Sequence, residues 1–381
     1  MNARRPAPSG PCRGPGRGPG RAAGRVAGRG AALEVLAILV LAMLVLAGCA
    51  GSPTALGTPT AGASPAGALS STVTPPSTTT LTSPPAPMTP TVAAPTGATL
   101  TPLTGGPVLA VKVDNTGGSR PRVGLNQADV VYVEPVEGGL TRLLAIFSNA
   151  QAAQVGPVRS ARESDVALLA NYGAVAFAFS GGSAGTLALV GKGAQKNLAF
   201  DASRQGFRRD GGRPAPYDVI GSPSALLARA GGSVPPADVG FRFGPASAGG
   251  VAGTRILTRW PAAGIEMVWD PARGRYLVTT DGRPDIDADG VQHGAATVIV
   301  QMVSSHLSQN RDVNGAQTPV VDVIGQGPVT VLRDGQAWSG QWSRPTAAAP
   351  TSFAANGAAV AMAPGPVWVL LVPQGQPVAI G

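Results

Sequence analysis

Cysteine is nearly missing from this 381-residue chain, with only Cys12 and Cys49. Cys12 lies in an Arg-rich leader, so a processed chain keeps Cys49 alone. That excludes a disulfide framework and a cysteine metal centre. Histidine is as scarce: His293 and His306 stand alone, without the i, i+4 partner or nearby Cys that a zinc site needs. Ser180-Gly181-Gly182-Ser183 lacks the Gly-x-Ser-x-Gly pattern, and no His stands in a hydrolase order with an acid. Lys192 and Lys196, two of three lysines, sit in a Gly-rich stretch that is no phosphate-binding loop. Neither a metal nor a cofactor is expected.

The formal charge of +9 is also less than it looks. Seven arginines and one acid, Glu34, precede Cys49, leaving 22 basic and 19 acidic residues behind it. A nucleic-acid footprint requires a basic patch on the folded part, so nucleic acid is not an expected partner.

No apolar run is long enough for a comfortable membrane span. Val35–Ala47 (VLAILVLAMLVLA) has the length of a signal-peptide core behind its basic n-region. It ends in Leu46-Ala47-Gly48-Cys49, which resembles a bacterial lipobox. Residues 1–48 are therefore expected to be a lipoprotein signal peptide. Cys49 would be the lipidated (palmitate-type) residue and the partner of the membrane, on its extracytoplasmic face. After Cys49, residues 50–101 hold no charge and no aromatic ring. Such Ala/Pro/Ser/Thr sequence buries too little apolar area to offset its chain entropy, which predicts a disordered tether over 49–101. At about 3 Å per residue it reaches up to ~150 Å.

Structure is expected from residue 102 onward, as an α+β protein. A mixed α/β N-terminal domain with a mixed sheet is expected over 102–245, and a β-rich C-terminal domain over 250–375. In the first, Val108–Val113, Val130–Val133 and Leu140–Phe147 read as strands, the last two separated by a Glu134-to-Gly139 loop. Ser160 with Glu163 three residues on reads as a capping box opening a helix that stops at Gly173. Ala174–Phe179 reads as a strand covered on both faces, and Leu187–Val190 and Ser224–Ala230 as helical. In the second domain, short runs such as Arg255–Trp260, Arg275–Thr280 and Thr297–Val303 alternate with Asp-Pro and Asp-Gly turns, predicting antiparallel or barrel-like strands. All five tryptophans lie there, within apolar strands, which points to core filling rather than a sugar-stacking platform.

The run ADVVYVEPVEGGLTRLLAIF, followed by GPVRSAR and a Gly-Gly-Ser loop, resembles the YerB-like bacterial lipoproteins, the domain of unknown function 3048. The resemblance covers about Pro102 to Pro373 and implies an N- and a C-terminal domain behind a lipobox, without implying an activity. Family members often carry His before the Gly-Gly-Ser loop, where this chain has Phe179. They often show Arg-Lys-Ala-Pro-His-Asn where it has Arg213-Pro214-Ala215-Pro216-Tyr217-Asp218. Both departures remove histidines, and with them a histidine-based chemistry.

The charges at element ends make the candidate site: Asp114, Asn115, Glu134, Glu137, Arg142, Arg159, Arg162, Ser183, Arg213, Tyr217 and Asp218. Arginines at a helix N-terminus work against its dipole unless an anion docks among them or a carboxylate pairs with them. The function expected is a cell-envelope binding module whose partner is a cell-wall fragment or an envelope protein. One alternative is a glycan or peptide hydrolase using Glu134 and Glu137 as paired carboxylates. Another is a structural envelope protein without a ligand. Asp285-Ile286-Asp287-Ala288-Asp289-Gly290 looks like half a calcium loop, but Ala296 stands where a bidentate Glu belongs, so a solvated acidic turn is expected.

Overall fold

A computed structural model describes residues 107–148, 152–231, 237–312 and 314–381. The signal segment, Cys49 and the tether lie outside the described residues. The first half runs β1 (Leu109–Asp114), β2 (Val130–Pro135), β3 (Thr141–Phe147), α1 (Glu163–Leu169), β4 (Ala176–Phe179), α2 (Ala184–Lys192) and β5 (Lys196–Ala199). It continues with β6 (Phe207–Arg209), β7 (Val219–Gly221) and α3 (Pro223–Arg229). The second half begins with β8 (Val251–Ala252), β9 (Arg255–Trp260), β10 (Ala263–Asp270), β11 (Arg275–Thr280), β12 (Arg283–Pro284) and β13 (Gly294–Ala295). Then come β14 (Thr297–Val303), β15 (Ser305–Arg311), β16 (Gln317–Val321), β17 (Gly325–Arg333) and β18 (Gln336–Arg344). Last are β19 (Ser352–Ala355), β20 (Ala358–Ala359), β21 (Val367–Pro373) and β22 (Val378–Ile380). The described residues are mostly sheet.

One mixed sheet carries the core, in the order β20-β19-β18-β17-β14-β21-β2-β3-β1-β4-β5, with β8 beside β18. The segments expected as separate domains share it. β21 lies parallel to both β14 and β2, with Val367 opposite Thr297 on one side and Val130 on the other. Strand β4 is fully buried, as its apolar run predicts: Phe177 and Phe179 face one core cluster, Ala176 and Ala178 the other. The antiparallel pattern expected of the second half holds for β9 to β12 and β17 to β20, but not for β14 and β21.

The two faces are covered differently. Odd positions of β1 (Leu109, Val111, Val113) join a cluster with Ile256, Trp260 and Met267 of the smaller antiparallel sheet β12-β11-β10-β9-β22. Even positions point to the face that α1 covers with Leu168 and Leu169. On that second face Lys112, Asp114, Glu134 and Arg142 continue the strands beyond the apolar residues, so charges line up where α1 begins. Four tryptophans (260, 338, 342 and 368) are buried in the clusters and Trp269 packs on Tyr276, which bears out core filling.

A polar knot joins the segments around residues 122 and 285. Arg122 is fully buried and donates to Asp285, to Asn115 Oδ1 and to the Asp114 carbonyl at 2.9 Å. Asp285 also accepts from Thr280, and Asp285 and Asp287 are buried while the other four residues of the Asp285–Gly290 turn are exposed. The turn expected to be solvated is thus anchored through two of its three carboxylates. Its first carboxylate is consumed by Arg122 before any cation could use it.

His293 closes the knot, its Nδ1 3.0 Å from Asn126 Oδ1 and its Nε2 3.9 Å from Asp285. Burial, helped by the Arg122 charge and opposed by Asp285, pushes its pKa down to about 4. The unfolded chain thus binds a proton there that the folded chain refuses, between about pH 6.5 and 4. The contribution of His293 to stability is expected to be lost as pH drops through that window, and His293→Gln to remove that component of the pH slope. Urea midpoints at stepped pH check this; a slope identical in the variant would contradict it.

The candidate arginine cleft

The loop segment GPVRSAR positions the cleft. β4 pairs with β1 only over Leu109–Val111; beyond it the same edge is taken by Val158, opposite Val113. The Arg159 amide donates to the Lys112 carbonyl at 2.9 Å and the Ala161 amide to Gly181 at 3.0 Å. The chain is therefore extended through Ala161, and α1 begins at Glu163 with Arg162 as its cap residue. The capping box expected from Ser160 and Glu163 moves accordingly: Asp165 accepts from the Arg162 amide at 2.6 Å. Glu163 instead accepts from Ser308 and Asn310 of β15.

Three arginines converge, two from the GPVRSAR segment and one from β3. Arg159 donates through Nε to Asp114 Oδ2 at 2.7 Å, and its guanidinium lies 5.8 Å from the Tyr217 ring centre. Arg162 donates Nε and Nη2 to Glu137 Oε2 at 2.9 and 2.5 Å. Glu137 sits where the chain turns through Gly138 and Gly139, both at positive φ, a conformation glycine adopts without a Cβ penalty. A side chain at Gly139 would also strike Pro261.

Arg142, the second residue of β3, lies opposite Asp114 of β1 and Glu134 of β2. Both carboxylates are engaged elsewhere. Arg142 Nη1 donates to the Ser160 carbonyl at 3.0 Å, and among the described residues no carboxylate comes within ion-pair distance.

The surrounding fields differ in sign. Burial pushes the Asp114 carboxyl up, but the Thr116 hydroxyl and amide and the Arg159 charge outweigh it and hold the pKa low. Burial likewise opposes ionisation of Glu137, and Arg162 with Thr318 outweighs it. Arg142, 9% exposed, is pushed down to about 10 by burial and then by Arg162 and Arg159.

These groups line a cavity of about 550 Å³. Asp114, Glu137, Arg142, Arg159, Arg162, Ser183 and Tyr217 of the expected site lie on it. Asn115, Glu134, Arg213 and Asp218 do not. Asn115 bonds Thr141 and Arg122 beneath the floor. Arg213 holds the carbonyls of Ser119 and Pro121, and Asp218 pairs with Arg209, so both brace rim loops. Glu134, expected in a loop, belongs to β2, because its pairing with Arg142 extends the strand to Pro135. It is fully buried against Lys112, out of the cleft. Phe179 is likewise buried in the core, while Tyr217 reaches the cleft.

Sequence reasoning missed the far wall. Arg311, Asp312, Asn314 and Thr318 come from the ribbon of β15 and β16. The mostly exposed, polar residues of β15 carry no apolar alternation to announce a strand. Thr318 donates to Glu137, and the Val321 amide to Ser164 Oγ at 3.1 Å, seating the ribbon on α1.

The molecule is thus an α+β protein built on a mixed sheet, with an arginine-lined cleft at the strand ends beside α1. The chain belongs to the family described as "Protein of unknown function (DUF3048)": its N-terminal domain matches residues 95–235 and its C-terminal domain residues 257–369. A relative from Bacillus subtilis (strain 168), named "Putative lipoprotein YerB", is 41% identical over 98 residues. That match spans 25% of this chain and 29% of the relative's length. The crystal structure of the YerB protein from Bacillus subtilis has the same fold, with a TM-score of 0.61 at 22% identity. It covers 73% of this chain and 95% of that one. No helix among the described residues is long and apolar enough to cross a membrane.

Proposed function

We propose that this chain is a lipid-anchored extracytoplasmic lipoprotein whose folded part binds an anionic group in the arginine cleft. In this reading residues 1–48 are removed, Cys49 carries the lipid, 49–101 is the tether, and the segments 102–245 and 250–375 form the binding body. The lipoprotein name of the Bacillus subtilis relative supports the anchoring. The ligand would be a cell-wall fragment or an acidic group on an envelope protein.

The observation that carries the reading is Arg142, a nearly buried cation on the cavity with no carboxylate of its own among the described residues. A buried charge without a counter-charge is costly. Arg344, away from the cavity, is satisfied by the Ala167 and Ala347 carbonyls, whereas Arg142 lies on an open cavity where a ligand can supply the anion. The hydrolase alternative draws less support. Glu134 is sealed against Lys112, and Glu137 is held by Arg162 and Thr318, so the two carboxylates do not share one open cleft.

The test is isothermal titration of the full-length chain with N-acetylmuramic acid, as wild type and as Arg142→Met. Wild type is expected to bind and the variant to lose at least about tenfold in affinity, since a charge-assisted hydrogen bond is worth ~1.5–3 kcal/mol. The variant should also unfold at an equal or higher urea concentration, because an uncompensated buried charge has been removed. Equal affinity in both proteins, or a variant that is several kcal/mol less stable, would contradict the reading.

A further inference from the structure

The cleft's charges set not only the sign but the number of charges on its ligand. Arg159 is neutralised by Asp114 and Arg162 by Glu137, through direct ion pairs. On the ribbon, Arg311 and Asp312 bring one charge of each sign. Arg311 bonds the Gly315 carbonyl and Asp312 the amides of Asn314 and Ala316, so neither pairs with the other. The described residues of the wall thus carry one net positive charge, with Arg142 as its buried cation. The N-terminus of α2, with Ser183 as its cap, adds about half a positive charge at the same cavity. Ser183 and Thr186 add hydroxyls 2.9 Å apart.

Resting on the anion-binding reading above, we infer that the ligand group is a singly charged oxyanion, a carboxylate or a phosphodiester, and not a phosphomonoester dianion. The reason is the different dependence of two terms on charge. Attraction to Arg142 grows in proportion to the anion's charge, whereas the cost of taking the anion out of water grows as its square. One unmatched cation balances one negative charge; a second would be partly desolvated beside Asp114 and Glu137, which are already ionised. Arg142 has one Nη committed to the Ser160 carbonyl, so Nε and Nη2 remain as the two-pronged donor that fits two oxygens of one group.

The experiment is titration of the full-length chain with three small probes: N-acetylalanine, dimethyl phosphate and methyl phosphate. At about pH 8 methyl phosphate is a dianion, and near pH 5 it is a monoanion, its second ionisation lying near 6. The expected result is that at least one of the first two binds at both pH values with little change. Methyl phosphate is expected to bind at least about fivefold more weakly at the higher pH than at the lower, following its monoanion fraction. Whether the carboxylate or the phosphodiester binds tells which source the envelope group comes from. Asp114→Asn frees a second positive charge on Arg159, and is expected to reverse the order so that the dianion becomes the tighter ligand.

Tighter binding of dianionic than monoanionic methyl phosphate to wild type would overturn the inference while leaving anion binding intact. No binding by any of the three would overturn both. Should Asp114→Asn fail to fold, the wild-type pH series alone decides the matter.

Discussion

Replacing Lys112 with Met is expected to destabilise the protein by ~3–5 kcal/mol at neutral pH, the cost of removing one partner from a buried charge cluster. Lys112 is fully buried on β1, and its ammonium serves Glu134 on β2 and, at 2.9 Å, Asp165 on α1. Two carboxylates face one cation. Burial first, and then the Asp165 charge, pushes the Glu134 pKa up to about 8 against the pull of Lys112, so Glu134 holds a proton at neutral pH. In the unfolded chain that proton leaves near 4.5, its ordinary value. At this site the folded state therefore binds more protons between those limits, and the contribution of Glu134 to stability is lost as pH rises from about 4.5 through 8, opposing that of His293 where the two windows overlap.

Glu134→Gln should be close to neutral in stability and should remove that decline, because the amide mimics the protonated acid. Urea unfolding of the three proteins at stepped pH measures all of this. A Lys112→Met midpoint equal to wild type would show that the cluster is not ionised as described.

Arg122→Met is expected to cost about the same, ~3–5 kcal/mol, by leaving the buried Asp285 without its cation. The same guanidinium holds the Asp114 carbonyl and Asn115, at the point where β1 runs into the cleft floor. The variant should therefore also weaken anion binding, although Arg122 does not line the cavity. Replacing the pair together, Arg122→Met with Asp285→Leu, should cost much less than the sum of the single changes, since neither leaves a bare charge. Additive losses in that cycle would mean the residues act separately.

The strands were legible wherever apolar runs lie in the sheet. Arg255–Trp260, Arg275–Thr280 and Thr297–Val303 have the bounds the sequence predicts, because burial on alternating or both faces leaves a periodic imprint. The start of α1 was misplaced for a tertiary reason. Ser160 has the right chemistry for a cap, but Arg159 and Ala161 are tied to Lys112 and Gly181 in extended pairing. Local preference lost to the sheet edge.

The site was half legible. Charges at strand ends pointed to Asp114, Glu137 and the three arginines. Nothing in a sequence says that Glu134 and Arg142, opposite each other across two strands, look to different partners. That depends on Lys112, whose own place inside an apolar run reads as a stray charge until its two carboxylates are located. Strand β15 left no apolar signal, because its side chains bond the Glu163 carboxylate on α1 instead of packing in the core.

The position of β21 has a consequence for how the protein comes into being. It is a keystone, seated between β14 and β2, and joins residue 130 to residue 367. A chain that emerges N-terminus first presents β2 with a bare hydrogen-bonding edge until nearly the whole sequence has followed. Pairings this distant along the chain slow folding, and an open edge invites other strands to dock on it. The arginine cleft stands on β1 and β3, on the other side of β2 from that edge, and its far wall is also made late. Neither half can rehearse the site alone, and a chain stopped short of residue 367 should aggregate rather than bind.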